Sequence, residues 1–443
     1  MYDTPTDWLD HSARTHPDRL AVSDAGGTRS YSELFASAGA FAATLADLGV
    51  GPGDPVAVDL PSGVAHAEAI HGAILAGAVV QSMPPAGREG VDVAPGTAFV
   101  DLATVERARH DATDSRASWA PVRRHLRRPL ARVLSSGTSG EPKPVELTAG
   151  NFLWSALGSA AKLGGEPDDR WLCCLPLNHV GGLSILIRSA IYGTGVEIHD
   201  GFDVGRVAAT VGSGEVTVIS LVPTQLVRLL DAGAAIERPR VVLVGGGPLA
   251  PDVLAEALGR GATVVQTYGL TEACSQVCTL TPAEAESRAG SAGRPLIGVA
   301  VRIDEGEIQV RGPIVAPAEV SVDGWLHTGD LGRVDEEGYL WVEGRRDDLI
   351  VSGGENVRPE RVEAVIGAHP DVVEVAVAGR EDRAWGQAVV AFVVARPGSE
   401  PDPATLAELA RAGLAPHEVP KRFVVVESLP RTASGKLRRR LLA

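Results

Sequence analysis

A chain of 443 residues, 44% of them hydrophobic, has the material for two or three domains with a large core. A net charge of −15 excludes a general nucleic-acid surface, and no uninterrupted apolar stretch approaches the roughly 18 residues of a membrane span. The cysteines (Cys173, Cys174, Cys274, Cys278) form no disulfide framework, and the Asp-rich start carries no signal pattern, so a cytoplasmic protein is expected.

In chain order, Ser30-Tyr31-Ser32-Glu33 has the form of a capping box. Leu34, Ala38, Phe41, Leu45 and Leu48 follow at helical spacing until Gly49. A short strand over 130–134 leads into Ser135-Ser136-Gly137-Thr138-Ser139-Gly140-Glu141-Pro142-Lys143. Strand and helix patterns then alternate: strand 216–221, helix 223–230 with Pro223 in its first turn, strand 240–244 ending in Gly245-Gly246-Gly247, helix 251–258 and strand 262–266. Repeated βαβ units imply an α/β fold, a doubly wound and mostly parallel sheet with helices on both faces. Ligands of such sheets lie beyond the C-terminal strand ends, where Ser220, Gly245–Gly247 and Tyr268–Glu272 fall.

After about residue 300 the pattern becomes antiparallel, with strands at 307–311, 331–334 and 339–342, the last two joined by a tight turn through Asp335 and Gly338. A boundary at Arg346-Asp347 divides the chain into a large domain, 1–346, with a small β-rich subdomain, and a small α+β domain, 347–443. The tail predicts a helix over 359–369, strands 372–378 and 388–395, a helix over 405–412 and a strand over 422–426.

Only four of the 41 Lys and Arg residues are lysine: Lys143, Lys162, Lys421 and Lys436. Lys143 and Lys436 lie in Gly/Ser/Thr-rich segments, where a compact cation and free amides suit phosphate. The first segment is not the P-loop of NTPases, because Pro142 and Pro144 flank the lysine where that motif opens a helix. Tyr268-Gly269-Leu270-Thr271-Glu272 offers an aromatic face, a hydroxyl and a carboxylate suited to Mg²⁺. Trp325–Asp330 reads as a turn carrying a carboxylate, and the run Arg438-Arg439-Arg440 is either a solvated face or a steering charge beside Lys436.

Together these segments resemble the adenylate-forming superfamily of acyl-CoA synthetases, adenylation domains and luciferases, over nearly the whole chain from Trp8 to Arg440. The resemblance implies that Ser135, Ser136, Gly137, Thr138, Ser139, Gly140 and Lys143 hold ATP phosphates. It implies an adenine pocket at Gly245, Gly246, Gly247, Tyr268 and Gly269, a phosphate contact at Thr271 and a Mg²⁺ ligand at Glu272. Asp330 and Arg345 correspond to the ribose-binding pair, Asp347 to a domain hinge, and Gly353 and Gly354 to the CoA channel of the small mobile domain. Lys436 corresponds to the catalytic lysine between the carboxylate and the α-phosphate. ATP, Mg²⁺ and CoA are the implied cofactor and co-substrates, and a small carboxylic acid the partner.

The run from Leu175 to Ser189 places Arg188 within apolar sequence, where its charge needs an anionic partner. A second substrate carboxylate, a structural Asp or Glu, or solvent would each serve. With Ser220–Leu226 and Tyr268–Cys278, this run resembles the o-succinylbenzoate–CoA ligases of menaquinone synthesis. That subgroup implies His179 at the acyl pocket or thiol tunnel, with Arg188 and Ser220 on the substrate; His179 as a core histidine is the competing reading. Pro144 stands where a glycine usually follows the loop lysine and is expected to stiffen the loop exit, Asn178 replaces a common aromatic, and 313–324 is shorter than in many relatives. Another acyl-CoA ligase, a freestanding adenylation enzyme and a non-catalytic nucleotide-binding paralogue are the alternatives.

Overall fold

The structure, a computed structural model, describes residues 7–84, 91–114, 122, 125–135, 143–431 and 437–443. The chain forms two compact units, one of Met1–Leu249, Leu254–Val301 and Val310–Leu326, the other of Ala250–Val253, Arg302–Gln309 and His327–Ala443. Among the described residues no helix is long and apolar enough to cross a membrane.

The first unit holds a nine-stranded and a five-stranded sheet. In the larger sheet Val264–Leu270, Val241–Val244, Val218–Leu221, Arg170–Cys173, Gly195–Ile198 and Leu20–Asp24 run parallel as neighbours. Strands buried on both faces read as unbroken apolar runs, as Val241–Val244 does with every residue buried. Ser275–Thr279 pairs antiparallel with Val264–Leu270 at one edge, and Gly27–Ser30 with Leu20–Asp24 at the other. The smaller sheet is ordered Ala98–Val100, Pro55–Val58, Val79–Ser82, Pro129–Ser135, Lys143–Thr148, its last strand antiparallel.

The capping box forms as expected, Ser30 Oγ accepting from the Glu33 amide at 3.3 Å and Glu33 Oε2 from the Ser30 amide at 2.8 Å. Leu34, Ala38, Phe41 and Leu45 are buried, each contributing about 1.5–3 kcal/mol for the larger side chains. Leu48 departs from this stripe: it caps the helix C-terminus and is exposed, because the helix ends at Asp47. Pro144 directly follows Lys143. It lies within the edge strand Lys143–Thr148, paired with Leu134, and an edge strand tolerates a residue that has no amide to donate.

The second unit carries most of a four-stranded meander, Ala300–Asp304, Glu307–Arg311, Leu326–Val334 and Leu340–Arg345. It also holds a five-stranded sheet built on the long hairpin Val372–Asp382 and Gly386–Ala395. Alternate residues of that hairpin serve two cores. Val377, Val389, Ala391 and Val393 pack with Val362, Ile366 and Leu406 of helices Pro359–Gly367 and Pro403–Gly413. Ala376, Ala378, Val390 and Phe392 pack with Leu429 and Leu442 of the C-terminal tail. A period of two, filled on both faces, explains the continuous apolar sequence of Gly386–Ala395.

Candidate active site

In the first unit the parallel strands deliver the expected residues to one edge. Ser220 is the penultimate residue of Val218–Leu221, and Gly245, Gly246 and Gly247 follow Val241–Val244 directly. Gly246 has φ +81°, a conformation that favours glycine, and a Cβ on Gly245 would lie 2.7 Å from Thr267 Cγ2. The next strand is longer than its apolar run predicts. It extends to Leu270, so Tyr268 and Gly269 are strand residues, paired across a bulge with Cys278 and Gln276. Only glycine fits at 269, where a Cβ would meet the Ser275 carbonyl oxygen at 1.6 Å.

Thr271 and Glu272 occupy the 3₁₀ turn Thr271–Ala273, followed by Cys274 at φ +49° and Ser275 at φ +86°. Non-glycine residues in this region are strained by about 1–3 kcal/mol and persist where the surroundings hold them. Here Ser155 Oγ donates to the Cys274 carbonyl at 2.8 Å and the Ala316 amide to the Glu272 carbonyl at 2.8 Å. The Glu272 carboxylate is half-buried and has no hydrogen bond among the described residues. A carboxylate, with the hydroxyl of the adjacent Thr271, is the hard oxygen chemistry that suits Mg²⁺, which takes one or two carboxylates plus substrate phosphates.

One organising residue had a faint signal. Thr148-Ala149-Gly150-Asn151 is a capping box in which Asn151 replaces the usual Glu or Gln. Asn151 Oδ1 accepts from the Thr148 amide at 2.8 Å and hydroxyl at 2.9 Å, while Nδ2 donates to the carbonyls of Pro313 at 2.8 Å and Val315 at 2.9 Å. That remote segment leads to Ala316, which holds Glu272.

The ends of the phosphate-loop candidate sit on one rung, Ser135 opposite Lys143. Ser135 Oγ is buried without a hydrogen-bond partner among the described residues. Lys143 Nζ donates to Glu319 Oε2 at 2.7 Å. Ser136, Gly137, Thr138, Ser139 and Gly140 lie outside the described residues.

Near Ser220, Trp171 Nε1 donates to the serine Oγ at 3.1 Å and the Arg188 guanidinium stacks 5.0 Å from the Trp171 ring centroid. Arg188 is 3% exposed. Its Nε donates to the Ser184 carbonyl at 3.1 Å and its Nη1 to Ser159 Oγ and Gln276 Oε1, both at 3.0 Å. Burial pushes this guanidinium below its ordinary value, with Tyr192 and Cys274 acting in the opposite sense. Among the described residues no carboxylate pairs with it, and its side chain is withdrawn from solvent. His179 is half-buried at the N-cap of helix Val180–Tyr192, and the nearby Asn178 Oδ1 is buried without a partner among the described residues. Cys274 and Cys278 are free, buried thiols.

In the second unit Asp330 and Arg345 are cross-strand neighbours, Arg345 Nε donating to Asp330 Oδ1 at 2.8 Å. The expected turn over Trp325–Asp330 is instead the strand Leu326–Val334, kinked where Gly329 takes φ +70°. Glu307, absent from the sequence reading of the site, anchors the kink by accepting from the Gly329 amide at 2.8 Å. Burial alone would raise the Glu307 carboxyl, but the Gly329 amide, Gln309, Arg346 and His327 hold it below its usual range.

Asp347 is exposed in the 3₁₀ turn Arg346–Asp348. Gly353 and Gly354, at φ +63° and +88°, form the two-residue turn between strands Ile350–Ser352 and Glu355–Val357. The arginine run is corrected at its centre. Arg439 is neither a solvated nor a steering charge: it is held by Glu363, by Glu360 at 3.2 Å, by Asp348 at 3.4 Å and by the Val377 carbonyl at 2.6 Å. Lys436 lies outside the described residues.

The chain matches the AMP-binding enzyme family over residues 9–90 and 91–318, and the AMP-binding enzyme C-terminal domain over 361–436. It belongs to the AMP-binding enzymes. The 2-succinylbenzoate–CoA ligase of Geobacillus kaustophilus is 38% identical, across 99% of this chain and 97% of the relative. The o-succinylbenzoate CoA synthetase of Bacillus subtilis, in complex with the acyl-adenylate intermediate OSB-AMP, has a TM-score of 0.89 and 34% identity over 100% of this chain and 98% of that one. The same synthetase in complex with ATP and magnesium ion has a TM-score of 0.85 and 33% identity, covering 98% of each chain. In this AMP-binding enzyme the α/β fold thus agrees with the motif-based expectation.

Proposed function

We propose that this chain is an AMP-forming acid–thiol ligase that joins 2-succinylbenzoate to CoA at the expense of ATP, in the cytoplasm and in service of menaquinone synthesis. The observation that carries the substrate assignment is Arg188, a buried cation whose described partners are all neutral. A dicarboxylic substrate supplies the missing anion with its second carboxylate, and Ser220, bound to the same Trp171, lies beside it on that reading.

A carboxylate is a poor acyl donor because oxide would have to leave. One substrate carboxylate oxygen attacks the α-phosphorus of ATP, the bond to the β-phosphate breaks, and acyl-adenylate and pyrophosphate form. The thiol sulfur of CoA then attacks the acyl carbon and AMP departs, its thiol proton passing to solvent. The protein's part is positioning and charge neutralisation.

In this mechanism Tyr268 and Gly245–Gly247 hold the adenine, Asp330 and Arg345 the ribose, and Ser135, Lys143 and Thr271 the phosphates. Glu272 and Thr271 hold Mg²⁺, which neutralises phosphate charge when bound. Lys436 bridges the attacking carboxylate and the α-phosphate, His179 lines the acyl pocket, and Gly353 and Gly354 belong to the thiol channel. Asp347 is the hinge about which the 347–443 domain turns between the half-reactions.

Pyrophosphate release with Mg·ATP and a panel of 2-succinylbenzoate, benzoate, a medium-chain fatty acid and amino acids, with and without CoA, tests the assignment. Selectivity for 2-succinylbenzoate is expected; activity only with a monoacid, or only with a carrier protein as acceptor, would overturn it. Lys436→Ala should slow adenylation by about 10²–10³-fold, the scale of one lost transition-state contact. Thioester formation from preformed acyl-adenylate should change far less, and equal loss in both half-reactions would remove Lys436 from its role.

A further inference from the structure

Lys143 already has an anion. Its Nζ lies 2.7 Å from Glu319 Oε2, and the two side chains differ in freedom: that of Lys143 is 59% exposed, that of Glu319 only 12%. The carboxylate is fixed by its segment. Glu319 closes the 3₁₀ turn Pro317–Glu319, its amide donating to the Ala316 carbonyl at 3.0 Å. Ala316 is tied to Glu272, and the preceding carbonyls of Pro313 and Val315 are held by Asn151. The lysine, a flexible stem bearing a point charge, is therefore the mobile member of the pair.

From this geometry we infer that Glu319 is a resident counter-ion for Lys143 that nucleotide phosphates must displace. The inference rests on Lys143 being a phosphate ligand. One cation cannot neutralise two anions fully, so when Lys143 turns to the triphosphate, Glu319 keeps a mostly buried negative charge and loses its partner. ATP affinity is lowered by the value of the ion pair, and departing pyrophosphate is replaced by a carboxylate already in place. Glu319 thereby tunes nucleotide exchange without touching the reacting atoms.

The test is equilibrium binding of Mg·ATP, without acid substrate, to the full chain and to Glu319→Gln, Glu319→Asp, Lys143→Met and the Lys143→Met/Glu319→Gln double variant. Glu319→Gln should tighten ATP binding about two- to five-fold at low salt, the range of an ion pair whose cation is solvent-exposed, with the gain shrinking at high salt. Glu319→Asp, which retracts the carboxylate, should shift affinity in the same direction by less. Lys143→Met should weaken binding, and the double variant should bind like Lys143→Met alone. Unchanged or weaker binding in both Glu319 variants overturns the inference, as does equal tightening with and without Lys143. If Lys143→Met leaves ATP affinity untouched, the phosphate role of Lys143 falls as well, which separates the two failures.

Discussion

Arg188 and Arg439 are both withdrawn from solvent, and the company they keep is opposite. Around Arg439 stand three carboxylates, those of Glu360, Glu363 and Asp348, which together raise its guanidinium above the ordinary value against the effect of burial. Around Arg188 stand a carbonyl, a hydroxyl, an amide oxygen and an indole ring, and burial lowers it. A buried charge with a full set of opposite charges fastens structure. One surrounded by neutral acceptors pays its desolvation only in part, and a bound anion completes it. The comparison separates a cation that holds the tail of the chain from one whose described partners are all neutral, the environment on which the proposed role in substrate recognition rests.

The largest effect that sharpens this contrast is loss of the tail's fastening. Arg439→Met should cost about 3–5 kcal/mol of stability, because it leaves the acids of the cluster without their cation. Urea unfolding followed by far-UV circular dichroism measures it, and a loss below about 1 kcal/mol would make Arg439 a surface charge after all.

A smaller effect concerns pH. Glu360 is raised from 4.5 to about 7, first by burial, with Glu363 and Asp348 adding to it and Arg439 opposing. Its Oε2 is buried with no hydrogen-bond partner among the described residues. The folded chain thus retains a proton that the unfolded chain releases above about pH 4.5. This contribution to stability is fully present below that pH and is lost as pH rises through about 7. Glu360→Gln should therefore gain stability relative to the parent between pH 5 and pH 8, seen as a flatter melting temperature; parallel curves would show that Glu360 ionises normally.

What the sequence makes legible follows the range of the interactions. The capping box at Ser30–Glu33 and the βαβ alternation rest on neighbouring residues, and they fold as read. Asp330 and Arg345 are recognisable as a pair, yet the strand that carries Asp330 is hidden by Gly329, whose left-handed φ no periodicity encodes. Asn151 looks like an ordinary helix start, since its partners Pro313 and Val315 lie 162 and 164 positions away. Arg439 reads as one member of a charged run because Asp348, Glu360 and Glu363 lie 91, 79 and 76 positions upstream. The assignments of residues 136–140 and of Lys436 rest on motif alone, since those residues lie outside the described set.

The most direct test of the central claim compares kcat/KM for Mg·ATP-dependent pyrophosphate release by the parent chain and Arg188→Met with two acids. These are 2-succinylbenzoate and 4-oxo-4-phenylbutanoate, which keeps the keto-acid arm and lacks the ring carboxylate. Arg188→Met should lower kcat/KM for 2-succinylbenzoate by about 10²-fold or more, the scale of a lost buried charge contact, and leave the monoacid nearly unchanged. Folding stability should stay within about 1 kcal/mol, because the guanidinium removed was only partly compensated. Equal loss with both acids, or no loss with either, would contradict the reading of Arg188 as the residue that recognises the second carboxylate.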